Sequence, residues 1–319
     1  MKYFYLFLFC IISCIQADWI WSPDTGWMNS RYAPQESAQQ QLARASQWKQ
    51  EGNYEDAAEI YYQIHKSYPF TPEGQNSLFQ AAECLALAEE YYQAHLYLEE
   101  YKTTYPRTEK LPEILQKQYE WGATLVTGKD DSINIMGFTV ASSAADGVEV
   151  LKQVLQDAPF LDFVDDAQLM IANYYFKIEE YRQARLEYEK LLQEYEKSEW
   201  CSFAQFQIAH SHWKEFKSLE FDIEPLVQAK KKYEEYIEKY PDNPQAMQAK
   251  EQIQIIFELM AKKQLNIAEY YLNRDNINAA RLYLQWVQLK YPNTKSAEQA
   301  KLLISQHHLE IPIDKEASK

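Results

Sequence analysis

The chain has 319 residues and a formal net charge of −15, with 47 acidic against 32 basic residues. Only 7 residues are glycine, and neither G-x-G-x-x-G nor the P-loop pattern occurs, which disfavours enzymes that cradle phosphate groups in glycine-rich loops. The acidic excess disfavours nucleic acid as a partner, because binding it depends on neutralising phosphates. Composition therefore predicts a mostly helical protein without nucleotide chemistry.

The amino terminus has the composition of an export signal. Residues 1–17 hold one lysine followed by an almost unbroken apolar run over 3–15. This run is shorter than the ~20 residues that span a bilayer and is typical of a secretory signal peptide. Two cleavage sites fit: a lipobox ending at Cys14, which would leave Cys14 as the lipidated amino terminus, or cleavage after Ala17, which would release a soluble protein.

Six amphipathic segments share one spacing. Each has a small residue twelve positions before a closing residue and apolar residues eight and five positions before it, as in Ala57, Tyr61 and Ile64 before Pro69. This spacing places one stripe along a helix, and a proline ends that helix. A second amphipathic segment upstream of each predicts a partner helix. The closing residues are Pro69, Pro106, Pro159, Glu196, Pro241 and Pro292.

The pattern resembles the tetratricopeptide repeat, a unit of two helices and 34 residues. The resemblance predicts an all-α solenoid of about five to six helix pairs, with N-terminal repeats over residues 37–160 and C-terminal repeats over 161–310. The closing residues lie 37 to 53 positions apart, and the excess over 34 predicts insertions, which we place at 128–143 and 216–225. We expect one long helix over 244–273. Outside the repeats, we expect an extended tryptophan-rich segment over 18–36 and a polar tail over 311–319.

Glycine and its substitutes indicate where the helices turn. Gly52 lies at the turn between the two helices of the first pair, and Glu89, Glu179 and Asp275 occupy the same place in other pairs. Gly74 is predicted in the turn between the first two pairs.

Finer features are similar to the BamD family of outer-membrane protein assembly lipoproteins. The first repeat, GNYEDAAEIYYQIHKSYPFTPEGQNS, has the family's G-x-(W/Y)-x-x-A and its Tyr-Pro-Phe-x-Pro ending. The segment 129–138 is similar to an inserted loop of that family. The last repeat, from Ile267 to Pro292, has the A-E-(Y/F)-Y opening and the Tyr-Pro close. The resemblance covers residues 37–303.

The resemblance implies a scaffold at the periplasmic face of the outer membrane, anchored by a lipid on Cys14 and without other membrane contact. Its partners would be unfolded outer-membrane proteins, the barrel insertase BamA and other assembly components. Clients would enter a groove at the first repeats, lined by Tyr61, Tyr62, Tyr68 and Phe70. Partners would dock on the last repeat, at Tyr270, Tyr271, Asn273, Arg274 and Asp275. A soluble periplasmic scaffold for cell-envelope, division or peptidoglycan enzymes is the alternative.

No residue pattern indicates catalysis, a cofactor or a metal. His210 and His212 are two positions apart, which does not place them on one face of a helix as a zinc pair requires. Cys84 and Cys201 lie inside helical patterns and are predicted as small core residues. We therefore predict that the protein is not an enzyme.

Overall fold

The computed structural model describes residues 19–22, 26–29, 37–128, 133–135, 138–141 and 143–309. Within these ranges thirteen helices and two short hairpins follow one another. In chain order the elements are β1 (Trp19–Ser22), β2 (Gly26–Asn29), α1 (Ala38–Glu51), α2 (Tyr54–Ser67), α3 (Pro72–Leu87), α4 (Tyr91–Thr104), α5 (Leu111–Thr127), β3 (Ile133–Ile135), β4 (Phe138–Ala141), α6 (Ser143–Asp157), α7 (Val164–Lys177), α8 (Tyr181–Glu194), α9 (Cys201–Glu215), α10 (Glu224–Lys239), α11 (Gln245–Leu272), α12 (Ile277–Lys290) and α13 (Lys295–Gln306).

The predicted tetratricopeptide solenoid is confirmed, with six helix pairs from α1–α2 to α11–α12. The stripe found in the sequence is the buried face of each second helix. Its small residues Ala57, Ala94, Ala184, Ala229 and Ala280 are all 0% exposed. In the third pair Gly147 takes this position, and a Cβ there would lie 2.7 Å from the carbonyl oxygen of Gly122. A small residue at this point allows the two helices of a pair to approach closely.

The turn inside a pair has the same geometry wherever the pair has no insertion. Its central residue is in the left-handed region, with φ of 85° at Gly52, 65° at Glu89, 64° at Glu179 and 54° at Asp275. The next residue donates its backbone N–H to a carbonyl five positions back, as from Asn53 to Trp48 (2.9 Å) and from its counterparts in the other three pairs. This bond satisfies a carbonyl at the helix end, and it explains why these four positions align in the sequence.

Both predicted insertions lie inside pairs. The antiparallel hairpin β3–β4 separates α5 from α6. The loop after Glu215 separates α9 from α10, which begins at Glu224. The long helix predicted over 244–273 is α11, which runs from Gln245 to Leu272.

Two details differ from the prediction. Gly74 lies in the first turn of α3, because Thr71 accepts a hydrogen bond from the Gly74 N–H and caps the helix before it. The C-terminal repeats end in an additional helix, α13, which packs on α11 and α12 and is followed by the buried Leu309.

The chain divides into two compact units, residues 1–154 and 155–319. In the first unit one core cluster joins α1 to α5. In the second unit separate clusters lie around α8, around α10 and between α11, α12 and α13. Within each unit the helices therefore pack mainly on their neighbours in the chain, as those of a repeat array do.

Candidate interaction surfaces

The predicted client groove begins on α2, where two adjacent tyrosines have different environments. Tyr61 is only 5% exposed. It occupies the inward position eight residues before Pro69, so its ring packs in the core and is not available to a client peptide. Tyr62 follows it by 100° around the helix and is half-buried at the surface. The prediction for Tyr61 is corrected, and Tyr62 is left as the surface residue of the two.

Tyr62 is held in a network between α2 and α4. Its ring stacks on Tyr97 with a centroid distance of 4.6 Å, and its hydroxyl donates to Glu100 Oε2 at 3.1 Å. Lys66 forms an ion pair with Glu100, and His65 Nε2 lies 3.5 Å from the same carboxylate. The hydrogen bond from His65, together with Lys66, lowers the pKa of Glu100 to about 2. The carboxylate is therefore charged at neutral pH and holds Tyr62 in place.

The turn after α2 presents an aromatic side chain to solvent. Phe70 is 93% exposed. Its backbone is fixed on both sides, because the Tyr105 hydroxyl donates to the Pro69 carbonyl at 2.6 Å and Thr71 Oγ1 donates to the Tyr68 carbonyl at 2.9 Å. A Cβ on Gly74 would lie 1.8 Å from that carbonyl oxygen of Tyr68. Tyr68 is half-buried and Phe70 projects from a rigid turn.

A second set of charges joins the first helices of the first three pairs and was missed in the sequence. Glu83 on α3 lies 3.5 Å from Lys49 on α1 and 3.0 Å from Lys117 on α5. Burial raises the pKa of Glu83, but Lys117 and Lys49 together lower it by more than burial raises it, so the pKa is below its ordinary value. These three residues are separated by 34 positions each, the length of the repeat, and that periodicity was the signal in the sequence.

The predicted docking residues lie at the end of α11 and in the turn before α12. Tyr270 is 50% exposed, and the guanidinium of Arg274 lies 4.4 Å from its ring centroid. Tyr271 instead stacks on Tyr283 of α12 at 5.7 Å and belongs to the packing of the pair. Asn273 and Asp275 are exposed residues of the turn. The structure thus brings together Tyr270 and Arg274 as an exposed aromatic–cation pair.

The fourth pair contains an internal copy of this arrangement. Tyr174 and Tyr175 meet edge to face at 5.4 Å and 70°, as Tyr270 and Tyr271 do at 5.5 Å and 78°. The position of Arg274 is taken by Ile178 in this copy. The tyrosine pair is therefore found in both repeats, whereas the cation is particular to the last one.

The remaining candidates have structural environments. Cys84 is buried, as predicted, and burial raises the pKa of its thiol to about 11, whereas Cys201 is only partly buried. His210 Nδ1 lies 3.0 Å from the Tyr233 hydroxyl, and burial lowers the pKa of His212 to about 4. In the part of the chain that the structure describes, no three His, Cys, Asp or Glu side chains are placed to hold a metal ion.

The proposed lipidation site and the side chains of the first hairpin are not part of the described structure. Cys14 lies outside the described residues, and for β1–β2 the structure gives only the pairing, with Trp21 opposite Trp27. None of the described helices combines the length and the apolar character that crossing a bilayer requires.

Several solved structures of repeat proteins are similar to the chain at low identity. A tetratricopeptide-repeat protein of Thermus thermophilus is 16% identical over 68% of this chain and 99% of its own, with a TM-score of 0.31. The C-terminal part of a repeat protein from Cytophaga hutchinsonii is 14% identical over 85% and 90%, with a TM-score of 0.34. PilF of Pseudomonas aeruginosa is 13% identical over 83% and 97%, with a TM-score of 0.30.

Among curated proteins, no sequence matches the chain. A family model does match: YfiO, described as an outer membrane lipoprotein, over residues 140–319. This match covers more than half of the chain, including part of the hairpin strand β4 and every helix from α6 onward. The chain belongs to the YfiO family of outer membrane lipoproteins.

Proposed function

We propose that the protein is a lipid-anchored scaffold of the outer-membrane β-barrel assembly machinery, facing the periplasm. The first repeats hold unfolded barrel precursors, and the last repeat docks the insertase BamA. The observation that carries the proposal is the family match to outer membrane lipoproteins in a repeat array that exposes aromatic residues in its first and last repeats. The scaffold acts by binding alone.

The client site consists of Phe70 with Tyr62 and Tyr68. Unfolded barrel precursors expose aromatic residues in extended segments. An exposed ring on a rigid turn offers them contact area at a small cost in conformational entropy. Since the Tyr105–Pro69 hydrogen bond and the Glu100 network fix the surroundings, the site is preorganised before a client arrives.

The docking site consists of Tyr270 and Arg274. An arginine stacked on tyrosine presents its N–H groups at the edge of an aromatic surface, and both residue types are enriched among residues that dominate binding energy. The exposed turn residues Asn273 and Asp275 form the polar rim of this site.

Depletion of the protein tests the role as a whole. We expect the levels of folded barrel proteins in the outer membrane to fall, and unchanged levels would contradict the proposal. Pull-down from detergent extracts then identifies the machine. Recovery of BamA supports assembly, whereas recovery of a peptidoglycan hydrolase or of division proteins would replace the proposal by the soluble-scaffold alternative.

Single substitutions separate the two sites. Phe70→Ala should reduce cross-linking to an unfolded barrel precursor and leave BamA recovery unchanged. Phe160→Ala is the matched control, because Phe160 follows Pro159 in the equivalent turn of the third pair and is 95% exposed. Equal loss in both variants would show that any exposed phenylalanine contributes and would contradict a specific site.

The docking site has its own control. Arg274→Ala should reduce BamA recovery without changing precursor cross-linking, and Tyr174→Ala in the internal copy should change neither.

For the anchor, Cys14→Ser should abolish incorporation of labelled palmitate. Continued incorporation would show that Cys14 is not the lipidation site.

A further inference from the structure

The outer face of α12 is apolar, although it takes no part in the core. Leu282, Trp286 and Leu289 are 66%, 49% and 78% exposed. Their spacing of four and three places them on one side of the helix, away from the buried Leu284 and Val287. Exposed apolar residues that form a continuous stripe indicate a contact surface rather than ordinary surface composition.

The other five repeats provide a control for this stripe. At the positions of Trp286 and Leu289, six and three residues before the closing residue, every other second helix has a polar residue. The repeat therefore folds without apolar side chains at these two positions, so folding does not explain Trp286 and Leu289. The residues equivalent to Trp286 are Gln63, Glu100, Gln153, Lys190 and Glu235. Those equivalent to Leu289 are Lys66, Thr103, Gln156, Gln193 and Glu238.

The charge of this region is opposite to that of the whole chain. Residues 261–309 hold seven basic and three acidic residues, whereas the net charge of the chain is −15, and α12 itself has no acidic residue. Neither Arg281 nor Lys290 forms an ion pair with any residue in the described ranges, and Nε of Arg281 is buried without a hydrogen-bond acceptor. The Lys290 ammonium lies 5.7 Å from the ring centroid of Trp286.

The missing partner of Arg281 has a structural cause. Arg185, at the equivalent position of α8, forms an ion pair with Glu215 at the end of the next first helix, at 2.8 Å. The residue equivalent to Glu215 after α12 would be at position 311, but α13 ends at Gln306. Among the described residues, no carboxylate therefore takes the place that Glu215 has beside Arg185.

We propose that the outer face of α12 binds an anionic phospholipid surface, independently of the assembly role proposed above. Trp and Leu would enter the interface between head groups and acyl chains, while Arg281 and Lys290 contact the phosphates. The hollow between the side chains of the stripe is lined by residues of α12 alone, which a soft bilayer interface can fill, whereas a bound peptide needs a groove between elements. A second copy does not fit, because an antiparallel α12 would place Arg281 opposite Lys290 of the other copy.

The acidic remainder of the chain confines this contact. Anionic lipids repel a body with a large negative net charge and attract only its basic part. We therefore expect weak binding, strong sensitivity to salt and no binding to neutral lipid. In the cell this contact would supplement the lipid on the amino terminus, since stable attachment to a membrane commonly combines two signals.

Vesicle binding tests the inference on the chain from residue 18 onward, which has no lipid. We expect it to sediment with vesicles of phosphatidylglycerol and phosphatidylcholine but not with phosphatidylcholine alone. Arg281→Gln with Lys290→Gln should weaken binding about 25-fold, since each cation near an anionic surface contributes about fivefold. The matched control is Arg182→Gln with Lys190→Gln on α8, which removes the same charge from another second helix.

Fluorescence locates the contact. Brominated lipid should quench tryptophan emission of the parent chain, and this quenching should fall in Trp286→Phe, which keeps a ring at the site. Absence of binding to phosphatidylglycerol vesicles, equal binding to neutral vesicles, or equal loss in the α8 control would each overturn the inference. Capture of an acidic peptide in place of vesicles would overturn it too and assign the surface to a protein.

Discussion

The first repeats and the last repeat use their basic residues in different ways. In the first three pairs Lys49, Lys66 and Lys117 all form ion pairs with glutamates of a neighbouring helix pair. In the last pair Arg281 and Lys290 form none with any described residue. Both regions are built on the same helix frame, so the difference lies in the residues that surround each cation.

The comparison shows how one frame can serve two purposes. Charges that recur every 34 positions face each other across neighbouring pairs and hold these pairs together. In the last pair, Arg281 and Lys290 have no such partner among the described residues, and they flank an exposed apolar stripe.

Gly74→Ala should destabilise the first unit by about 3 kcal/mol, because the new Cβ would lie 1.8 Å from the Tyr68 carbonyl oxygen and the turn would have to open. Urea unfolding followed by tryptophan fluorescence measures the loss. Gly52→Ala is the control, since its Cβ would meet no atom within 4 Å and only its φ of 85° is unfavourable. A cost of about 1 kcal/mol is expected there. Equal costs would refute the steric explanation.

Glu100→Gln should cost about 2 kcal/mol at neutral pH, because it removes the shared partner of His65 and Lys66. The pKa of Glu100 is lowered to about 2, so its contribution is fully present above the ordinary carboxyl pKa of about 4.5 and is lost as pH falls through 2. The unfolding free energy of the variant should therefore fall less steeply below pH 4.5. Identical pH profiles would show that the network does not stabilise the fold.

Arg185→Gln and Arg281→Gln compare equivalent positions directly. Arg185 forms an ion pair with Glu215 and is 13% exposed, so its loss should cost about 1 to 2 kcal/mol. Arg281 has no acidic partner among the described residues, so its replacement should change the unfolding free energy by less than about 0.5 kcal/mol. Thermal unfolding of both variants measures the difference, and a larger cost at Arg281 would show that it stabilises the last pair.

Glu89→Gly should stabilise the protein slightly, by about 0.5 kcal/mol, because glycine adopts the left-handed φ of 65° without strain. Glu179→Gly should do the same in the second unit, where φ is 64°. Glu90→Gly serves as the control, since Glu90 has an ordinary φ of −83° and gains nothing from glycine. Denaturation midpoints measure all three, and an equal gain at Glu90 would refute relief of backbone strain as the cause.

The sequence predicted the parts of the fold that depend on spacing. The stripe of small and apolar residues identified all six second helices, and the alignment of Gly52 with Glu89, Glu179 and Asp275 located the turns. Both predictions are confirmed because every helix pair repeats the same geometry, so the same spacing recurs in each copy of the repeat. The helix α13 was not separated from the last repeat, since it has no second helix after it to complete the pattern.

Site residues were predicted less well, for a reason visible at Tyr61 and Tyr62. Both were assigned to the groove because both are aromatic, although the spacing itself placed Tyr61 in the buried stripe. Charged networks such as Lys49–Glu83–Lys117 were missed because each residue taken alone is an ordinary surface charge. The outer face of α12 was also missed, since its significance appears only when the six second helices are compared position by position.

The early end of α13 has a consequence for engineering. A segment copied from residues 197–215 of the second unit, grafted in place of residues 293–309, would carry the equivalent of Glu215 to a position within reach of Arg281. Such a graft would turn an end of the array into an interior joint. Further repeats could then be added behind it, and the length of the protein would become adjustable without redesign of its existing pairs.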